Sequence, residues 1–142
     1  MKVENILQSK GSAAHRVSQS ATINDTLKVL SEFNIGAVLV VDEKDHLVGI
    51  LSERDIVRYL GRQGTSVLEM KVSDCMTPKP YTCTMQASVD ELLGQMTNER
   101  IRHMPVVENG KILGLVSIGD VVKRKIQEAE EEAASLREYI GG

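Results

Sequence analysis

Gly49-Ile50-Leu51-Ser52-Glu53-Arg54-Asp55-Ile56-Val57 and Gly114-Leu115-Val116-Ser117-Ile118-Gly119-Asp120-Val121-Val122 share one form: glycine, two aliphatics, serine, two variable residues, aspartate and two more aliphatics. The match continues upstream at a shift of 66, which lays Ala21-Thr22-Ile23-Asn24-Asp25 on Ala87-Ser88-Val89-Asp90-Glu91 and Val40-Val41 on Val106-Val107. Earlier still, Val3-x-Asn5-Ile6-Leu7 resembles Val72-x-Asp74-Cys75-Met76. A repeat this long means that one supersecondary unit is made twice.

Each copy has the same local logic. Thr22…Asp25 and Ser88…Glu91 are capping pairs that open amphipathic helices, with Ile23, Leu27 and Leu30 matching Val89, Leu93 and Met96. Almost fully apolar strands follow at Ala37–Val41 and Met104–Val107, as expected for strands buried on both faces. The turns are Asp42–Asp45 and Asn109-Gly110, the latter a strong hairpin signal. Second strands at Leu47–Leu51 and Ile112–Val116 run into helices that begin near Ser52 and Ser117. The predicted unit is strand or extended lead, helix, strand, strand, helix. A unit of about 55 residues buries too little surface to be comfortable alone. The expected fold is therefore one α/β body in which two β-α-β-β-α repeats pack with pseudo-twofold symmetry. Residues 1–60 form the first motif, 61–71 a linker, 72–126 the second motif and 127–142 a C-terminal acidic helix.

Composition narrows the function. The chain has 142 residues, 42% apolar and 26% charged, the balance of an ordinary globular protein. With four aromatic residues and no Trp, its core is aliphatic and it lacks a base-stacking surface for single-stranded nucleic acid. The net charge of −3 divides unevenly, because the tail from Gln127 carries five Glu against Arg137 while residues 1–126 are near neutral. Neither portion is a basic footprint for DNA or an anionic membrane. There is no apolar run of membrane-spanning length and no secretory signal, so a cytoplasmic address is expected. Cys75 and Cys83 have no Cys or His pair at metal-ligand spacing, and reduced thiols with no bound metal are expected. No phosphate loop, dinucleotide fingerprint, zinc helix or paired nucleophile is present, so binding without turnover is the expectation.

The Gly-x-x-Ser-x-x-Asp segments allow two readings that can both hold. Ser52 with Asp55, and Ser117 with Asp120, suit helix caps whose carboxylates sit at the positive end of the dipole. The same geometry at the mouth of a cleft also suits a sugar diol and a phosphate, with the carboxylate accepting from hydroxyls and the amides and Ser hydroxyl donating to oxygen.

The duplicated units and their Gly-aliphatic-aliphatic-Ser-x-x-Asp endings resemble a tandem pair of cystathionine-β-synthase (CBS) domains over roughly residues 3–125, in the layout of small stand-alone bacterial signal-transduction proteins. The resemblance implies a regulatory sensor that binds an adenine nucleotide (AMP, ADP, ATP or NAD) in clefts between the motifs. It implies that Asp55 and Asp120 hold ribose hydroxyls and that Ser52 and Ser117 contact ribose or phosphate, with Thr22 and Ser88 as further contacts. The implied adenine pocket is Gly36, Ala37 and Val38 in one motif and His103, Met104 and Pro105 in the other. Arg100, Arg102 and His103, at the start of the buried strand, are the implied phosphate ligands of motif two. The first motif has Asn34, Gly36 and Ala37 there, with Arg54 as partial compensation, so one stronger and one weaker site are expected. The alternative is a protein-interaction subunit without a physiological nucleotide, its Ser and Asp pairs acting only as caps. His15 and His46 read as surface residues.

Val121–Ile140 contains no Gly or Pro and reads as one helix. Val122, Ile126, Ala129, Ala133, Leu136 and Ile140 recur at heptad spacing, and the glutamates at 128, 130, 131 and 132 lie off that stripe. Such a helix packs on its own body or meets its copy in a homodimer, whose arrangement an unidentified regulated protein would sense.

Overall fold

The computed structural model of the chain describes residues 1–141. In the first half, helix α1 (Val3–Lys10) leads to strand β1 (Arg16–Ser18), α2 (Ile23–Phe33), β2 (Ala37–Val41), β3 (Leu47–Ser52) and α3 (Glu53–Gln63). A 3-10 segment, Gly64–Glu69, connects to the second half. There, α4 (Val72–Cys75) and β4 (Thr77–Pro78) precede α5 (Val89–Glu99), β5 (His103–Glu108), β6 (Lys111–Ser117) and α6 (Ile118–Gly141). The predicted α/β repeat is thus present in both halves. The extended lead is a helix followed by an extended segment, β1 in the first half and the stretch around Cys83 in the second.

The repeat is visible in the strand register. Val40 faces Gly49 across the β2–β3 hairpin and Val106 faces Gly114 across β5–β6, each followed by an irregularity before the next residue. Val17 of β1 pairs in parallel with Val40, and Cys83 makes the equivalent parallel bridge to Val106. Cys83 therefore fills the core position that Val17 fills in the first half. Burial pushes its thiol up to about 12 and also raises that of Cys75, so both remain protonated.

Capping fixes the helix starts. Thr22 Oγ1 accepts the Asp25 amide at 3.1 Å and Ser88 Oγ accepts that of Glu91 at 3.0 Å. Thr26 faces the core instead of solvent because its hydroxyl donates to the Thr22 carbonyl at 3.1 Å, which removes the cost of burying it.

The leading helices are exchanged between the cores. Val3, Ile6 and Leu7 of α1 pack with Val89, Leu92, Met96, Met104 and Val116 of the second motif. Val72 and Cys75 of α4 pack with Ile23, Leu30, Val38 and Leu51 of the first. Val67 of the connecting segment is fully buried in that same core, with Leu68 and Met70 packed against it, while residues 61–66 are exposed. The exchange explains the motif glycines. A Cβ on Gly49 would lie 2.3 Å from Met76 Sδ, and one on Gly114 would lie 2.9 Å from Leu7 Cδ1. Leu7 and Met76 are partners in the repeat, so each leading helix closes on the other motif over a bare glycine.

Candidate functional site

Both Gly-x-x-Ser-x-x-Asp segments fold into capping boxes at strand-to-helix junctions. Asp55 Oδ2 accepts from the Ser52 amide at 2.9 Å and the Ser52 hydroxyl at 3.0 Å, and the Asp55 amide donates back to Ser52 Oγ. Asp120 Oδ2 accepts from the Ser117 amide at 2.9 Å, and the Asp120 amide donates to Ser117 Oγ. The next amide in each helix is also used, since Glu53 N–H donates to the Gly36 carbonyl and Ile118 N–H to that of Arg102. Most of the helix-terminal donors are therefore satisfied internally, and an anion here depends on side chains more than on the dipole.

Those side chains converge from both motifs on one cleft of about 1030 Å³. Motif one contributes Ser52, Glu53, Arg54, Asp55 and Arg58, together with Gly36 at the start of β2. The crossing segment Thr77–Tyr81 forms a second wall, and Arg100, Arg102 and His103 come from the end of α5 and the start of β5. The cleft is at the upper end of the range for sites that take small molecules. Its inner walls are partly apolar, with Ile50, Met96, Ile101 and Ile118, while its rim is basic.

The structure redistributes the residues that the sequence reading assigns. Arg100, Arg102 and His103 line the cleft of Asp55, the aspartate of the other motif, and Asp120 does not line it. Asp120 is engaged elsewhere: Lys10 Nζ lies 2.6 Å from its Oδ2 and also donates to the Leu115 carbonyl at 2.9 Å. Burial alone would raise the Asp120 carboxyl, but the hydrogen bonds from Lys10 and Ser117 outweigh it and hold the group below its usual range. Ala37, Val38, Met104 and Pro105 are buried strand residues outside the cleft lining, so of the residues expected to form an adenine pocket only Gly36 and His103 border it. Thr22 and Ser88 are helix caps away from it.

His103 is half-buried between the motifs. Burial, with Lys10 and Arg102 nearby, lowers its pKa, and the opposing pull of Asp120 and Glu53 does not restore it. It is thus a neutral imidazole near neutral pH, able to donate from one nitrogen and accept at the other.

Arg58, Lys79 and Tyr81 are cleft residues that sequence reasoning missed. Arg58 follows Arg54 by four positions, one helical turn on the same face, which was a readable signal. Lys79 lies between Pro78 and Pro80 with φ of 46°. Arg100 is also left-handed, with φ of 55°, where its repeat partner is Asn34 at 51°. Asn is suited to that conformation and Arg is not, so the cleft holds a strained residue where the repeat shows that an easier one fits.

A pair of pseudo-symmetric α/β repeats, with capped Ser–Asp motifs flanking a basic cleft, defines a two-motif binding module. The CBS domain family matches residues 13–62 and 72–126, and the chain belongs to that family. It is 37% identical over 148 residues to the mitochondrial CBS domain-containing protein CBSX3 of Arabidopsis thaliana, covering 99% of this chain and 72% of that protein. The structure matches that of the CBS-domain containing protein ATU1752 of Agrobacterium tumefaciens with a TM-score of 0.84 and 38% identity, over 87% of this chain and 92% of the other. Two structures that share the fold at 24% identity hold adenosine compounds. One is a CBS domain protein of Pyrobaculum aerophilum complexed with AMP (TM-score 0.75, 84% and 89% covered). The other is the CBS domain pair of protein MJ0100 with 5′-methylthioadenosine and S-adenosyl-L-methionine (TM-score 0.80, 90% and 98% covered).

Proposed function

We propose that the chain is a non-catalytic sensor that binds an adenine nucleotide in the Asp55 cleft. The observation that carries this reading is the meeting, in one cavity, of a capped carboxylate with basic side chains from the opposite motif. In the described structure Asp55 Oδ1 accepts no hydrogen bond, which leaves it available to a ribose hydroxyl, while Arg54, Arg100 and Arg102 supply phosphate donors. The AMP and adenosine-derivative complexes of proteins with this fold support adenosine as the recognised core. A ligand held by both motifs favours one relative arrangement of them, which is how occupancy would be transmitted.

A homodimer completes the proposal. Val121 anchors α6 in the second core and Lys125 pairs with Asp90 at 2.7 Å, so these residues mark the face turned to the body. The heptad stripe is turned elsewhere, with Val122 43%, Ile126 54%, Leu136 56% and Ile140 82% exposed. In a parallel, in-register pairing of two copies, Glu132 beside the stripe faces the second copy's Arg137, an opposite-charge contact. The parallel arrangement is the one the charges favour.

The test is a thermal-shift series on the full chain. Stabilisation by adenine but not guanine nucleotides is expected. Equal shifts with both bases refute adenine recognition, and no shift with any nucleotide favours an interaction subunit whose Ser and Asp pairs act only as caps.

A further inference from the structure

The internal repeat lets each basic side chain of the Asp55 cleft be compared with its counterpart on the Asp120 side. Arg54 and Arg58 correspond to Gly119 and Lys123. Arg100, Arg102 and His103 correspond to Asn34, Gly36 and Ala37, and Lys79 corresponds to Lys10 in the leading segment. The equivalence holds in three dimensions, since the Glu53–Gly36 backbone bond at α3 is matched by Ile118–Arg102 at α6.

Arg54, Arg58, Lys79, Arg100 and Arg102 are thus five permanent cations around one cleft, and among the described residues none is ion-paired. Only two of their counterparts are charged. One of these, Lys10, is already bound to Asp120 and to the Leu115 carbonyl. The cleft's own carboxylates are Glu53 and Asp55, which leaves a clear positive excess. Like charges gathered in a concave, partly apolar site repel one another and focus their field into it, and a polyanion relieves that repulsion.

We infer that the Asp55 cleft is the chain's single nucleotide site and that it selects adenosine bearing two or more phosphates, while Asp120 with Lys10 is a structural tie between α1 and the second motif. This rests on the adenylate reading above and adds ligand charge and stoichiometry to it. One terminal phosphate brings a charge of about −1.5 to −2, too little to satisfy the cluster. Further phosphoryl groups add the acceptor oxygens that the remaining guanidinium groups require, whereas a sulfonium such as S-adenosylmethionine adds a cation to a cationic site. The strained Arg100 fits the same demand, because its counterpart Asn34 could not reach a phosphate chain as a charged donor.

Calorimetric titration of the full chain with ATP, AMP, S-adenosylmethionine and inorganic tripolyphosphate tests this. The expected result is one ATP per chain, bound at least tenfold more tightly than AMP, with an advantage that narrows as salt screens the rim. Arg100→Gln with Arg102→Gln, both exposed and so compatible with folding, should cut ATP affinity more than AMP affinity. Two ATP per chain, AMP equal to or tighter than ATP, or preferred S-adenosylmethionine overturns the inference and leaves the adenylate reading standing. Tripolyphosphate binding with no adenosine selectivity sinks the adenylate reading and retains the polyanion site. No heat from any titrant rejects both.

Discussion

Replacing Gly49 with Ala separates the exchanged packing of the leading helices from a merely local role for the motif glycine. The added Cβ would meet Met76 Sδ at 2.3 Å, Met76 Cγ at 2.9 Å and the backbone carbonyl of Thr77 at 2.9 Å. Met76 can change rotamer, but the carbonyl belongs to β4, which pairs with β3 at Gly49 and Ile50. The β3–β4 ladder therefore has to move. Overpacking of this kind costs about 1–3 kcal/mol. For a chain of this size, that lowers the melting temperature by roughly 3–12 °C. The symmetry partner gives the control. At Gly114 the three atoms nearest the added Cβ all belong to Leu7, the terminal carbons of its side chain at 2.9 and 3.0 Å. Gly114→Ala should lose less than about 1 kcal/mol, because Leu7 can rotate and Ala restricts the unfolded chain. Circular dichroism melts of the two variants make the comparison. Because Thr77–Tyr81 walls the cleft, Gly49→Ala should also weaken nucleotide binding, with Gly114→Ala leaving it intact. Equal destabilisation, or a larger loss at Gly114, would refute the packing argument.

Two further outcomes follow from named groups. His103 is held below the ordinary imidazole value of 6.5, so the unfolded chain takes up a proton from about that pH downward while the native state does not. Its contribution is complete above pH 6.5 and declines as pH falls through the native pKa; His103→Gln should flatten that acid limb of stability in pH-dependent urea melts, and an unaltered limb would show that His103 is not its source. Removing residues 127–142 deletes the exposed part of α6 from Ala129 onward, and light scattering should then report the monomer mass, whereas a dimer that survives truncation would place the interface elsewhere.

Much of the fold is readable in the sequence because its signals are local. The Ser52–Asp55 and Ser117–Asp120 caps, the Asn109-Gly110 turn and the all-apolar Ala37–Val41 strand each depend on residues within a few positions. The exchange of α1 and α4 was not readable. The resemblance of Val3–Leu7 to Val72–Met76 says that the two are equivalent, but equivalence is the same whether each covers its own motif or the other. The same limit governed the site. Arg100 and Arg102 share a repeat with Asp120, whereas the packing of the two motifs sets them in the cleft lined by Asp55. Lys10 was invisible for the same reason, its partner lying more than a hundred positions away.

The most direct measurement is the nucleotide affinity of Asp55→Asn beside that of Asp120→Asn, taken by calorimetry on chains shown to be folded. Charge-assisted hydrogen bonds are worth about 1.5–3 kcal/mol, so Asp55→Asn should weaken binding by about 10- to 100-fold. Asp120→Asn removes the charged partner of Lys10 while leaving an amide oxygen to accept from the Ser117 amide, and should change affinity by less than about threefold, a difference under 1 kcal/mol. The reverse pattern, with Asp120 essential and Asp55 dispensable, would contradict the assignment of the cleft.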